Sequence, residues 1–259
     1  MKKLFIVLLA LLLLCGCSKT KEYSSHLDKI KDEGKVVIAT EGMWEPWTYV
    51  DGEGVLTGYD VELGKKIAEK LGVEAEFVTG DFTGFLSGLD NGQYDLVING
   101  IDVTDERKEK YDFSNTYAYA SSYLIVKADN EDIKSLEDLN GKKITNSLGS
   151  SYANLGESYG ATNVGGDTFA DTINNLVNGY ADASINSADT YGLYVKEHPD
   201  ADVKVVAVID PLDVAIPFVK GEYNDTFREA VNEVIDEMKA SGELAELSMK
   251  FFGTDITVK

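Results

Sequence analysis

Apolar and polar positions follow two different periods along this chain. KVVIAT (Lys35 to Thr40) is a short run rich in β-branched residues, the pattern of a buried strand. A helix follows from about Asp60 to Leu71, and then EAEFV, DLVI and SYLIV as further strand-like runs. This alternation predicts α/β architecture with mostly parallel sheets. Near the end, Phe227, Val231, Val234, Ile235 and Met238 recur at helical spacing, which predicts a stripe packed into a core.

The chain also resembles itself. LDNGQYDLVING (Leu89 to Gly100) and LVNGYADASINS (Leu176 to Ser187) share the pattern L-x-N-G-x-x-D-x-x-I-N-x, a helix end, a glycine turn and a strand. Either two αβ turns are alike by chance or the halves are similar lobes. Ligands of open parallel sheets bind beyond the carboxyl ends of strands, so two such lobes would set Asn99 and Gly100 against Asn186 and Ser187 across a cleft.

One arginine stands out. VTDERKEK (Val103 to Lys110) reads as a helix start, with Thr104 as N-cap and Asp105 and Glu106 in the first turn, where negative charge is favoured. Arg107 in that turn faces the positive end of the helix dipole, at a cost of a few tenths of a kcal/mol when exposed. Two readings compete: a solvated surface arginine, or a cation placed for a bound anion.

Composition narrows the function. The formal charge is −21 over 259 residues, which repels phosphate backbones and anionic lipid and argues against nucleic acid as a partner. The opening MKKLFIVLLALLLLCGC has two lysines, an apolar run from Leu4 to Leu14 and a small-residue site, the make-up of an export signal. That run falls short of the roughly 20 residues needed to span a bilayer. Leu14-Cys15-Gly16-Cys17 looks like a bacterial lipobox, which predicts a signal peptide over 1–16, a lipid (palmitate) on Cys17 and a tether over 17–26. Plain secretion with two stray cysteines is the alternative. Both cysteines lie in this stretch, so no disulfide, thiol catalysis or zinc–cysteine site is expected. The two histidines, His26 and His198, read as surface residues, and neither a metal site nor a cofactor is expected.

Two segments then carry a family resemblance. TEGMWEPWTYVDGEGVLTGYDVELGKKIAEKLG and NGQYDLVINGIDVTDERKEKYDFSNTY resemble the extracellular solute-binding proteins, family 3, of polar amino-acid ABC importers. The likeness runs from about Lys35 to Gly253 and includes T-x-E-R-K-x-x-Y-D-F-S and the terminal K-F-F-G. It implies the two-lobed periplasmic-binding-protein type II fold, with residues 27–119 and 214–259 in lobe 1 and 120–213 in lobe 2. Two hinge crossings would fall near Tyr117 to Ser121 and Asp210 to Ala215.

The same resemblance implies roles for residues. Arg107 matches the arginine that pairs with a ligand α-carboxylate, a task suited to a planar guanidinium. Gly149-Ser150-Ser151 matches a loop that offers hydroxyls and N–H groups to that carboxylate. Trp44 and Phe82 stand where the family sets rings against the ligand side chain, with core packing as the other reading, while Trp47 is expected to pack. Glu41 matches a ligand-side acidic position or is a plain exposed carboxylate. At Ser187 the chain departs from the family, which has an aspartate there for the ligand ammonium. Asp102 is expected to take that role ahead of Asp189, the alternative being that Asp102 caps a turn.

The function implied is an anchored receptor on the extracytoplasmic side of the membrane, monomeric, that delivers a polar amino acid to a permease without altering it. Several carboxylates near the cleft point to a basic amino acid or cystine. Other classes share the fold. A dehydratase would need an acid/base carboxylate such as Glu41, and a ligand-sensing module would need transmembrane and signalling segments.

Overall fold

The computed structural model describes residues 21–259, so the signal segment, Cys17 and the first part of the expected tether lie outside the described residues. The described chain begins with α1 (His26–Glu33), β1 (Lys35–Thr40) and a three-stranded antiparallel meander of β2 (Met43–Trp44), β3 (Thr48–Val50) and β4 (Leu56–Thr57). Next come α2 (Tyr59–Leu71), β5 (Glu74–Thr79), α3 (Phe82–Asp90) and β6 (Leu96–Val97). Strands β5, β1 and β6 form a parallel sheet with β1 at its centre, Val36 beside Ala75 and Ile38 beside Leu96.

The chain continues through α4 (Asp105–Lys110), β7 (Tyr111–Phe113) and the long β8 (Ala118–Lys127) into a second body. A 3₁₀ turn (Leu136–Leu139), β9 (Lys143–Ile144), α5 (Ser151–Ser158), β10 (Thr162–Asn163), α6 (Phe169–Val177), β11 (Ala183–Ser187) and α7 (Ala188–Glu197) follow. Strand β12 (Val203–Val214) returns to the first body, where β13 (Pro217–Val219), α8 (Glu222–Ser241) and α9 (Glu243–Phe252) complete it. The second sheet has the order β10-β9-β11-β8-β12.

The expectation of mostly parallel sheets fits the first sheet and the β10-β9-β11 half of the second. It fails for SYLIV, which lies in β8, antiparallel to both β11 and β12. The reason is topological. Strands β8 and β12 carry the chain out to the second body and back, so they run in opposite directions and pair from Ala118↔Val214 to Lys127↔Val203.

Each body has its own core, which makes the molecule two-lobed. The first gathers Ile38, Leu63, Ile67 and Leu96 with the whole α8 stripe, of which Phe227, Val231, Ile235 and Met238 have no exposed surface. The second is built from Leu124, Ile144, Ala183 and Ile185. The two copies of the internal repeat occupy the same place in the two sheets. In each, a helix is followed by a glycine of positive φ (Gly92 at 67°, Gly179 at 73°) and an aspartate grips the neighbouring parallel strand with two bonds. The Asp95 N–H donates to the Val37 carbonyl (2.9 Å) while its carboxylate accepts from the Val37 N–H (2.8 Å). Asp182 does the same to Lys143, both bonds at 2.8 Å.

The N-terminal end differs from expectation. Ser25 caps α1 by accepting from the Asp28 N–H at 3.2 Å, so the helix starts at His26, inside the expected tether. Lys21 and Tyr23 both bond Asp32, folding the segment back onto that helix. His26 is not a surface residue either. Its side chain is 14% exposed, Nε2 lies 2.7 Å from Asp95 and Nδ1 lies 2.7 Å from Asn224 Oδ1. His198 is exposed, as expected. Among the described residues no helix is long and apolar enough to cross a membrane.

Candidate functional site

A cavity with about 630 Å³ of atom-free space lies between the lobes, at the carboxyl ends of both sheets. Its first wall grows from the end of β1. Asn99 fixes it: Oδ1 accepts from the Glu41 N–H (2.7 Å), and Nδ2 donates to the Glu41 carboxylate (2.8 Å). Gly100 has φ 55°, and a Cβ there would lie 2.6 Å from the Trp44 ring, so only glycine lets the indole lie flat against this loop. Trp44 in turn stacks on the fully buried Trp47, with centroids 5.5 Å apart. The Gly100 N–H donates to Asp60 at 2.5 Å, and the Tyr117 hydroxyl donates to the same carboxylate at 2.9 Å. Burial pushes Asp60 up to about 7 against these two bonds.

Arg107 lines the cavity from α4. Thr104 caps α4 by accepting from the Arg107 N–H at 3.2 Å, as the sequence predicts. The guanidinium is not a solvated surface group. Arg107 is 7% exposed, and it donates to the carbonyls of Asp102 (2.9 Å) and Gly149 (3.4 Å). Its Cζ stands 5.8 Å from the centre of the Phe82 ring. Burial pulls its pKa down, and the charge of Asp102 opposes that shift. A guanidinium carries five N–H donors. Among the described residues only two of these bonds are found, and no carboxylate lies within ion-pair distance.

Three carboxylates line the cavity, and none has a cation in pairing distance among the described residues. Asp102 is 3% exposed and accepts from the Ser151 hydroxyl of the other lobe. Burial raises it to about 6, while the Ser151 bond and the Arg107 charge pull it down. Glu41 is likewise raised by burial, against its bond from Asn99, with Asp81 adding to the rise. Asp167 also lines the cavity, so three carboxylates face one guanidinium.

The second lobe supplies Ser150 and Ser151 at the start of α5. The Ser150 Oγ accepts from the Ala153 N–H at 3.1 Å and so caps its own helix. Besides Asp102–Ser151 and Arg107–Gly149, two bonds join the lobes here: Asn154 to Glu106 (3.0 Å) and Thr190 to the Glu45 carbonyl (3.1 Å). The described lobes are therefore in contact around the cavity.

The lining brings together Glu41, Trp44, Phe82, Asn99, Gly100 and Asp102 with Arg107, Ser150 and Ser151. Ser187 is not on it. It has no exposed surface, and its hydroxyl has no hydrogen-bond partner among the described residues. Because α7 starts directly after β11, Ser187 turns inward and Asn186 lines the cavity instead. Asp189 lies in the first turn of α7, also off the lining. Sequence reasoning missed Asn146 and Ser147 after β9, and Gly166 to Phe169 after β10. The repeat could have found them, because these loops follow the strands that correspond to β1 and β5.

The family model for bacterial extracellular solute-binding proteins, family 3, matches residues 36–254. The chain belongs to that family. Among relatives of this family 3 protein, the probable amino-acid-binding protein YxeM of Bacillus subtilis (strain 168) is 34% identical, over 100% of this chain and 98% of its own length. The L-cystine-binding protein TcyA of the same organism is 33% identical over 97% of this chain and 96% of its own. A solved structure of an ancestral arginine-binding protein bound to arginine superposes with a TM-score of 0.77 at 36% identity, covering 85% of this chain and 99% of that one.

Proposed function

We propose that this family 3 protein is the lipid-anchored receptor of an ABC importer, holding one polar amino acid between its lobes and passing it unaltered to the permease. The observation that carries this reading is Arg107, buried at the cavity with donors to spare and no carboxylate partner among the described residues. It takes the α-carboxylate. Asp102 takes the ammonium, Trp44 and Phe82 flank the side chain, and Ser150 and Ser151 complete the carboxylate site from the other lobe. Glu41 and Asp167 favour a ligand with a second positive group, a basic amino acid or cystine, in line with what two of the relatives are named for binding.

Residues 27–119 with 214–259, and 120–213, move as the two lobes about hinges near Tyr117 to Ser121 and Asp210 to Ala215. The anchor is a lipid on Cys17, the face is extracytoplasmic and the receptor acts as a monomer. Replacing Cys17 by Ser should release the protein from the membrane fraction.

A thermal-shift screen of the purified protein against the common amino acids and cystine tests the central reading. A ligand at 100 times its dissociation constant stabilises the folded state by about 2.7 kcal/mol. A screen in which no amino acid raises the melting temperature overturns the proposal. Turnover of prephenate or arogenate in a product assay would replace the receptor with an enzyme.

A further inference from the structure

Behind the first turn of α5 lies a second hollow, an open groove with about 1750 Å³ of atom-free space. It shares only Ser151 and Tyr152 with the cavity described above. One wall is the start of α4, Thr104 to Glu106, and the rest comes from the other lobe: the 3₁₀ turn, α5 and residues 207–212 of β12. The Asn154–Glu106 bond spans the two sides at 3.0 Å.

Its chemistry is one-sided. Leu136, Leu155 and Ile209 line it with Tyr152 and Tyr159, and Val208 and Leu212 on the same lining are 70% and 39% exposed. Four carboxylates line it too, and no lysine, arginine or histidine does. Lys108 pairs with Asp105 at 3.1 Å and Lys110 with Glu106 at 3.8 Å. Glu137 and Asp210 are in no ion pair among the described residues. Exposed apolar surface favours a hydrocarbon, unpaired carboxylates favour a cation, and tyrosine rings attract an ammonium group through their faces.

We propose that this groove binds a small organic ammonium ion with a hydrocarbon body. The occupant touches both lobes in the joined arrangement, so it favours that arrangement over the separated one. Resting on the receptor reading, it then raises the affinity for the amino acid, and the amino acid raises its affinity by the same factor.

The probe is hexyltrimethylammonium, titrated calorimetrically into the purified protein. Saturable binding at one site is expected, at least tenfold weaker in Glu137→Gln/Asp210→Asn and in Tyr159→Leu, and unchanged in Trp44→Ala. Hexanol should bind more weakly than the cation. The site is overturned by the absence of saturable binding, by equal affinity in the double variant, or by loss of binding in Trp44→Ala, which would put the cation in the amino-acid cavity. It is also overturned if Tyr159→Leu converts a dimer to a monomer in sedimentation, since the groove would then be an interface between copies. An amino-acid affinity that is the same with and without the cation overturns the coupling alone. Because the direct titration needs no amino acid, failure of the receptor reading leaves this test standing.

Discussion

The loops after β6 and β11 start from the same backbone plan and end in different chemistry. Both follow an aspartate that grips the parallel strand beside it, Asp95 on Val37 of β1 and Asp182 on Lys143 of β9. After β6 no helix begins until Asp105, so Asn99, Gly100 and Asp102 reach the cavity before α4 delivers Arg107. After β11 a helix begins at once, and the only side chain set on the lining there is Asn186, with Ser187 buried behind it. A duplicated scaffold thus fixes where the strand ends meet. The length of loop before the next helix decides which copy carries charge into the cleft.

The largest test of this asymmetry is Arg107→Ala against Asn186→Ala. Loss of Arg107 leaves a ligand carboxylate unpaired in the cavity and should weaken binding by roughly 2 to 5 kcal/mol. Asn186→Ala should cost less than about 1 kcal/mol, and calorimetry separates the two. Comparable losses would mean that both copies hold the ligand equally.

The two gripping aspartates should also part in stability. Asp95 is buried, which alone would raise it, yet bonds from His26, the Val37 N–H and Lys29 hold it near 2, below its ordinary 3.8. A depressed carboxyl stabilises the fold above its unfolded value and loses that stabilisation as the pH falls through the folded one. Asp95→Asn should therefore cost about 2 kcal/mol at pH 7 and converge with wild type as the pH drops from about 4 to 2. Asp182, bonded only through Lys143, should cost about 1 kcal/mol when replaced by Asn. Urea titrations of both variants across pH settle the order.

Asp102 gives the opposite sign. Its carboxyl is raised from 3.8 to about 6, chiefly by burial, so the ligand-free fold loses stability as the pH rises between those values. A bound ammonium favours the ionised form, so affinity should fall below about pH 6, by up to about tenfold per pH unit. Asp102→Asn should weaken binding tenfold or more and flatten that profile, while Asp189→Asn changes little. A profile that persists in Asp102→Asn would assign the titration to another group. Smallest of all, Ser187→Ala should leave affinity unchanged and raise stability by up to about 1 kcal/mol, because it deletes a buried hydroxyl without a partner.

What the sequence revealed follows from how local each signal is. Arg107 was visible because a cation in a capped first turn is odd within eight residues, whatever the rest of the chain does. Elements with their own periodicity, β1, α2 and the α8 stripe, were equally plain. Asn146 and Asp167 carry no local mark: their place in the cavity comes from which strands pair with β9, and the internal repeat points to it only when extended back to the strands that match β1 and β5. Ser187 was misplaced for a related reason, since a family position does not show that α7 closes over it. His26 was misjudged because its partners, Asp95 and Asn224, are 69 and 198 residues away.

That histidine has a mechanical consequence. A chain held at its N-terminus pulls on α1, and His26 and Lys29 pass the pull into Asp95, which is bonded in turn to the backbone of β1. The force enters the first sheet at β1, its central strand. Strands β8 and β12, which run between the bodies, take no part in these bonds, so a pull on the N-terminal side, where the proposed anchor lies, is borne by the first lobe.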